Sequence, residues 1–177
     1  MALKIIGVGG IFLVAFLIYV YFIPTEMKIY REIVIKATPE KLFPYINHSK
    51  KMNEWMPWVD SDPGLQMEYS GPDEGVGSKS SWNSTGKMGT GNAVILESIA
   101  DRSVKTQLTY TKPMNMSQLA EMTLTLVPDG TSVRWSVGSH NGYFFRLVGV
   151  FFNMDQMVGG EFEKGLNKLK TIAEEVE

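Results

Sequence analysis

The chain has 177 residues, with 17 basic and 19 acidic side chains, no cysteine and only two histidines, His48 and His140. A net charge of −2 lacks the basic surface that phosphate neutralisation demands, which argues against nucleic-acid binding. The missing cysteines exclude disulfide scaffolds, thiolate nucleophiles, iron–sulfur clusters and cysteine-bound zinc, and two histidines leave little for a metal site or a catalytic triad.

The first feature along the chain is a run of 19 uncharged residues, Ile5–Ile23. As an α-helix at about 1.5 Å per residue it would cross one hydrocarbon core. Tyr19 and Tyr21 fall near its end, where amphipathic rings favour an interface, and Pro24 stops the pattern. A cleaved signal peptide competes with this reading, because Lys4 precedes the run. The run ends in large residues, Tyr21-Phe22-Ile23-Pro24, without the small-residue cleavage signal. An uncleaved membrane anchor over residues 1–24 is therefore expected, followed by one domain over residues 25–177. Flanking charges (Lys4 before; Lys28, Arg31 and Lys36 after) do not decide the orientation. The signal-like start favours a domain outside the cytoplasm, with the anchor in a bacterial inner membrane. Gly7, Gly9 and Gly10 do not form a dinucleotide loop, since Phe12 occupies the third glycine position and no amphipathic helix follows.

The domain opens with a strand over Lys28–Ala37, with Ile29, Ile33 and Ile35 on one face. Thr38-Pro39-Glu40 then reads as an N-cap, a proline in the first turn and an acid beside it, starting a short helix that carries Leu42, Phe43 and Ile46. A further helical turn reaches Met52, and Pro57 and Pro63 mark a loop. Six strands follow: Gln66–Ser70, Lys79–Asn83, Asn92–Ile99, Ser103–Lys112, Met116–Val127 and Thr131–His140. Gly71-Pro72-Asp73, Ala100-Asp101-Arg102 and Pro128-Asp129-Gly130 supply turns. Met116, Gln118, Ala120, Met122, Leu124 and Leu126 alternate with polar residues, and Val133, Trp135 and Val137 alternate with Ser132, Arg134 and Ser136. An antiparallel sheet with one covered and one wet face accounts for this. Phe162, Leu166, Leu169, Ala173 and Val176 recur at helical spacing and make the cover. The expected fold class is α+β, a curved antiparallel sheet around a long C-terminal helix, preceded by one transmembrane helix.

Several local strings, in this order of elements, resemble the START-like, polyketide-cyclase-like (SRPBCC, helix-grip) superfamily. They are Ala37-Thr38-Pro39-Glu40-Lys41-Leu42-Phe43, the tryptophan loop from Asn53 to Trp58 leading to Asp62-Pro63, and Tyr69-Ser70-Gly71-Pro72 with Gly75-Val76-Gly77. Thr111-Lys112-Pro113 and the run from Asn153 to Gly159 with Phe162–Leu166 complete the set. The resemblance covers Lys28 to the C-terminus. It implies a deep, mostly apolar cavity between sheet and helix that takes a lipid or another small hydrophobic molecule. A minority of the superfamily catalyses cyclisation or dehydration.

Within that frame the ligand-lining candidates are Trp82, Tyr110, Met114, Met116, Met122, Trp135, Phe144, Phe151 and Met154, because soft methionines and aromatics suit a pocket for variable apolar ligands. An ordinary packed core is the competing reading for each. Trp55 and Trp58 flank Pro57 as candidates for a lip over the cavity mouth or a membrane-interface contact. His140, at the end of the last strand, is a candidate for orienting a polar ligand group or for acid–base work, with Asp155 as a possible carboxylate partner. His48 lies in a polar run and is expected to be solvated. Asp60-Ser61-Asp62 lacks the later oxygen ligands of a calcium loop. The glycines at 71, 75 and 77 lack phosphate-loop spacing. No catalytic residue, metal or cofactor is expected. The readings carried forward are a membrane-tethered binder of a small hydrophobic ligand, a cyclase or dehydratase with a base in the pocket, and a partner-binding protein whose cavity is filled by its own side chains.

Overall fold

The computed structural model describes residues 2–86, 88–140 and 142–175, and the side chains of all of these except 2–9, 11, 60 and 61. The chain starts with helix α1 (Ala2–Phe22), continues into strand β1 (Glu26–Ile35), and then makes three short helices, α2 (Pro39–Asn47), α3 (Ser49–Asn53) and α4 (Pro57–Ser61). Six strands follow, β2 (Gln66–Ser70), β3 (Lys79–Asn83), β4 (Thr90–Ile99), β5 (Ser103–Lys112), β6 (Met116–Val127) and β7 (Gly130–His140). Helices α5 (Tyr143–Gly149) and α6 (Met154–Glu175) close the chain. Among the described residues no helix is long and apolar enough to cross a membrane, and the described side chains of α1 are confined to Gly10 and 12–22.

The strands form one open antiparallel sheet in the order β1-β7-β6-β5-β4-β3-β2. Each tight connection has a local cause. Gly130, at φ 133°, starts β7 where a Cβ would stand 2.1 Å from the Ile35 carbonyl oxygen, so only glycine fits. Asp101 turns the chain from β4 to β5 with φ 57°, a conformation aspartate tolerates better than most residues. At the start of α2, Thr38 is the N-cap and Pro39 enters the first turn. The Thr38 hydroxyl bonds the Glu40 carboxyl and holds it below the usual carboxylate range.

Helix α6 lies across β1 and β7 and also packs on α2 and α4. Its buried residues, Gly159, Phe162, Gly165, Leu166, Leu169 and Ala173, face the sheet. Of the expected helical set, Val176 lies outside the described residues. The tightly filled part of the core sits toward the C-terminal half of α6, where Ile35, Leu42, Ile46, Val133, Leu166 and Leu169 are fully buried. Toward the N-terminal half of α6 the same interlayer space is not filled.

One element and one residue depart from the sequence reading. The segment between β7 and α6 contains α5, a helix without one buried residue; its run is apolar except for Arg146, so no periodicity marks it. His48, expected in solvent, is half-buried, and its Nδ1 accepts from the Lys50 backbone N–H at 3.2 Å to cap α3. Asp62 has a local role: its carboxylate accepts from the Ser84 hydroxyl and from the Gly64 backbone N–H.

A cavity between the sheet and the terminal helix

Strand register lays the inward-facing side chains in cross-sheet rows. Trp82, Gly91, Tyr110 and Met116 are consecutive partners across β3, β4, β5 and β6. The next row inward is Ser80, Ala93, Leu108 and Gln118, and beyond it Ile95, Thr106, Ala120 and Val137. The last contains Val104, Met122, Trp135 and, on β1, Arg31. Small residues at Gly91, Ala93 and Ala120 keep the middle of this face low. Gly91 is obligatory, because a Cβ there would stand 2.4 Å from the Trp82 ring.

Over these rows lies a cavity of about 1340 Å³. It exceeds the roughly 300–1,000 Å³ of ordinary small-molecule pockets. Its roof comes from the first turns of α6, the α5 segment and the end of α1, with Met27, Met52, Met56, Met67 and Met88 adding to the walls. Trp135 forms its inner boundary: the indole stacks on Phe162 at 4.0 Å and 12°, with Trp55 and Trp58 against it at 5.4 and 5.5 Å. That aromatic cluster separates open space from packed core.

Among the described residues, charge is confined to one side of the cavity. Glu26, Arg146, Asp155 and Glu161 line it from β1, α5 and α6, whereas β3, β4, β5 and β6 contribute no charged side chain to its wall. On that neutral wall Ser80, Thr106, Tyr110 and Gln118 face the cavity, and none of these four side chains has a hydrogen-bond partner among the described residues. Burial pushes the Tyr110 phenol above its ordinary range, so it stays a neutral donor. Polar side chains on a cavity wall with no protein partner are suited to a ligand that bonds them.

Of the sequence candidates, Trp58, Trp82, Tyr110, Met116, Met122, Trp135, Phe151 and Met154 line the cavity. Four do not. Trp55 is fully buried in the core, its Nε1 donating to the Tyr45 carbonyl at 3.0 Å, so it is no lip. Met114 lies in the β5–β6 turn and is exposed, because the strand ends before it. His140 is exposed at the end of β7, opposite Glu26, and Asp155 bonds Arg31 instead. Phe144 points out of α5 and is 60% exposed. The acid–base reading therefore has no histidine in the pocket. Arg31 bonds hold Asp155 below the usual carboxylate range, the reverse of what a general base needs. The cavity is also not filled by its own side chains, as the third reading required.

Met27, Met52, Met56, Met67 and Met88 and the polar set Ser80, Thr106 and Gln118 carry no signal in the sequence that marks them as wall residues. The inward phase of Gln118 was legible from the β6 alternation, but a lone glutamine on an apolar face carries no signal of its own.

These features match a known family. The sequence model described as "Polyketide cyclase / dehydrase and lipid transport" fits residues 26–174.

The chain belongs to that family.

The family match places it among proteins of the START-like, SRPBCC type, and similarity to solved structures supports the same fold. An uncharacterized protein from Rhizobium leguminosarum aligns with TM-score 0.60 at 13% identity, over 84% of this chain and 95% of that one. The Aha1 dimer protein from Colwellia psychrerythraea aligns with TM-score 0.54 at 22% identity, over 81% and 93%. The di-domain aromatase/cyclase StfQ of the steffimycin biosynthetic pathway aligns with TM-score 0.63 at 9% identity, over 85% of this chain and 51% of StfQ. At these identities the likeness concerns the fold alone. No curated protein is similar enough in sequence to count as a relative.

Proposed function

We propose that this family member binds a lipid-like or other small hydrophobic molecule in its internal cavity while tethered to a membrane by α1. The carrying observation is the cavity of about 1340 Å³ with its methionine-rich and aromatic walls. Withdrawing roughly 400 Å² of apolar ligand surface from water supplies roughly 10 kcal/mol before association costs. The neutral polar side chains on β3, β5 and β6 suit a ligand with uncharged oxygen functions better than one with a charged group at that wall.

The tether is supported by the uncharged run Ile5–Ile23, by the helical backbone over Ala2–Phe22, and by the exposure of Phe12, Leu13, Val14 and Ile18. A single-pass arrangement with the domain outside the cytoplasm of a bacterial cell fits the signal-like start. The test is purification of the full chain in detergent, followed by solvent extraction and quantification of what comes with it. One hydrophobic molecule per chain, held through detergent exchange, supports the reading. Extracts that never exceed trace amounts, also after incubation with a total lipid extract, contradict it.

A further inference from the structure

The segment from Tyr143 to Asn153 carries an unusual load of exposed apolar side chains. Phe144, Phe151 and Phe152 are 60%, 70% and 55% exposed, and Tyr143 and Val150 are exposed beside them. Arg146 is the only charged residue in the segment. Scattered surface hydrophobes need no explanation, but a contiguous group of this size does.

The segment is fixed to α1 at a defined level. Tyr143 Oη donates to the Leu17 carbonyl at 2.8 Å, and the Phe151 ring meets that of Phe16 at 5.9 Å. Arg146 Nη1 donates to the Tyr21 and Ile23 carbonyls, both at 2.8 Å, and so caps the C-terminus of α1. Leu17 lies six residues before Ile23, the last residue of the uncharged run, which at about 1.5 Å per residue is about 9 Å back along the helix. Groups bonded at Leu17 and in ring contact with Phe16 therefore sit below the end of the run. The lone charge of the segment is placed at the end of the run instead, on the last carbonyls of α1. The same segment walls the cavity through Phe145, Arg146, Val148 and Phe151, beside Tyr19 and Ile23 of the α1 end.

We propose that residues 143–153 form a bilayer-docking surface, with Phe144, Phe151 and Phe152 immersed in the leaflet where α1 ends, and that the cavity mouth opens onto that leaflet. The occupant is the lipid bilayer. A ligand would then pass between leaflet and cavity without crossing water. This inference rests on the membrane-tether reading of α1.

The chain has no cysteine, so single-cysteine variants each carry one label. Full-length Phe144→Cys, Phe151→Cys, Val14→Cys and Thr125→Cys proteins are labelled with a polarity-sensitive fluorophore in vesicles of phosphatidylcholine and phosphatidylglycerol. Thr125 is exposed on the sheet face away from the cavity and serves as the aqueous reference. The expected result is a blue-shifted emission at 144, quenched by spin-labelled lipid and insensitive to iodide as at 14, while 125 responds to iodide alone. Thermal melting of each variant establishes that it is folded, and Phe151→Cys supplies a second reading should Phe144→Cys fail. If 144 and 151 respond like 125 while 14 is lipid-quenched, the tether stands and the docking surface is overturned. If 14 also responds like 125, the tether itself fails and the docking surface falls with it.

Discussion

Arg31 on β1 donates through Nε to Glu163 Oε1 at 2.6 Å, and through its terminal nitrogens to both oxygens of Asp155 at 3.0 and 3.1 Å. Asp155, Gly159 and Glu163 are spaced at i, i+4 and i+8, so they share one face of α6. Gly159 is the floor of this clasp, since a Cβ there would stand 2.2 Å from an Arg31 nitrogen. The clasp holds the N-terminal half of α6 over the cavity, where apolar packing is thinnest.

It predicts an acid sensitivity. The Arg31 bonds depress the Asp155 carboxyl below its ordinary value, so its contribution is present above the unfolded value near 4 and is lost as pH falls through the folded one. The melting temperature of wild type should exceed that of Asp155→Asn at neutral pH, and the two should converge as acid protonates the Asp155 carboxylate. Gly159→Ala should behave like Asp155→Asn, because its methyl group displaces the guanidinium. Parallel melting curves at all pH values would contradict the clasp.

Trp135 predicts a stability effect. Its indole is 3% exposed, stacks on Phe162 and meets two further tryptophans. Trp135→Ala should cost about 3–5 kcal/mol, the range for truncating a buried aromatic, measured by urea unfolding of the full chain in detergent. A loss below about 1 kcal/mol would mean that the cluster is not the boundary of the core.

Much of this architecture was legible in the sequence because one face of the sheet is buried. Alternation from Met116 to Leu124 and from Val133 to Val137 reports that face directly, and Pro128-Asp129-Gly130 marks the turn between them. Alternation cannot separate cavity wall from packed core, since Met122 and Leu124 obey the same rule on either side of the boundary. Trp55 and Trp58 stand three residues apart, yet one is core and the other cavity wall, a difference set by contacts with β7 and α6. Arg31 is the instructive case. Its place between Ile29 and Ile33 put it in phase with the inner face, but its carboxylate partners lie 124 and 132 residues away, beyond any local pattern.

The neutral wall predicts a separation of stability from binding. Tyr110→Phe, Thr106→Val and Gln118→Leu each remove a polar group that has no protein partner among the described residues, so unfolding midpoints should hold or rise. Affinity for a bound ligand should fall by about 0.5–1.5 kcal/mol per substitution, up to roughly tenfold. Equal losses of stability and binding would mean that these groups support the fold.

Tyr110 adds a signature at alkaline pH. Because burial raises its phenol, the folded state keeps a proton that the unfolded chain loses near pH 10, and stability declines as pH rises through the folded value. Absorbance titration should reveal one tyrosine ionising above the rest, and Tyr110→Phe should abolish it. A Tyr110 that ionises with the other tyrosines would show that this part of the cavity is open to solvent.

The central claim is that the hydrophobic ligand occupies the space over Ala93, midway along the low part of the sheet. Native mass spectrometry of the full chain, released from detergent, compares wild type with Ala93→Phe. The account predicts a hydrophobic adduct of one molecule per chain on wild type, and a folded Ala93→Phe protein that carries none. An adduct retained in full by Ala93→Phe, or a wild type that stays at its bare chain mass after exposure to lipid extract, would contradict it.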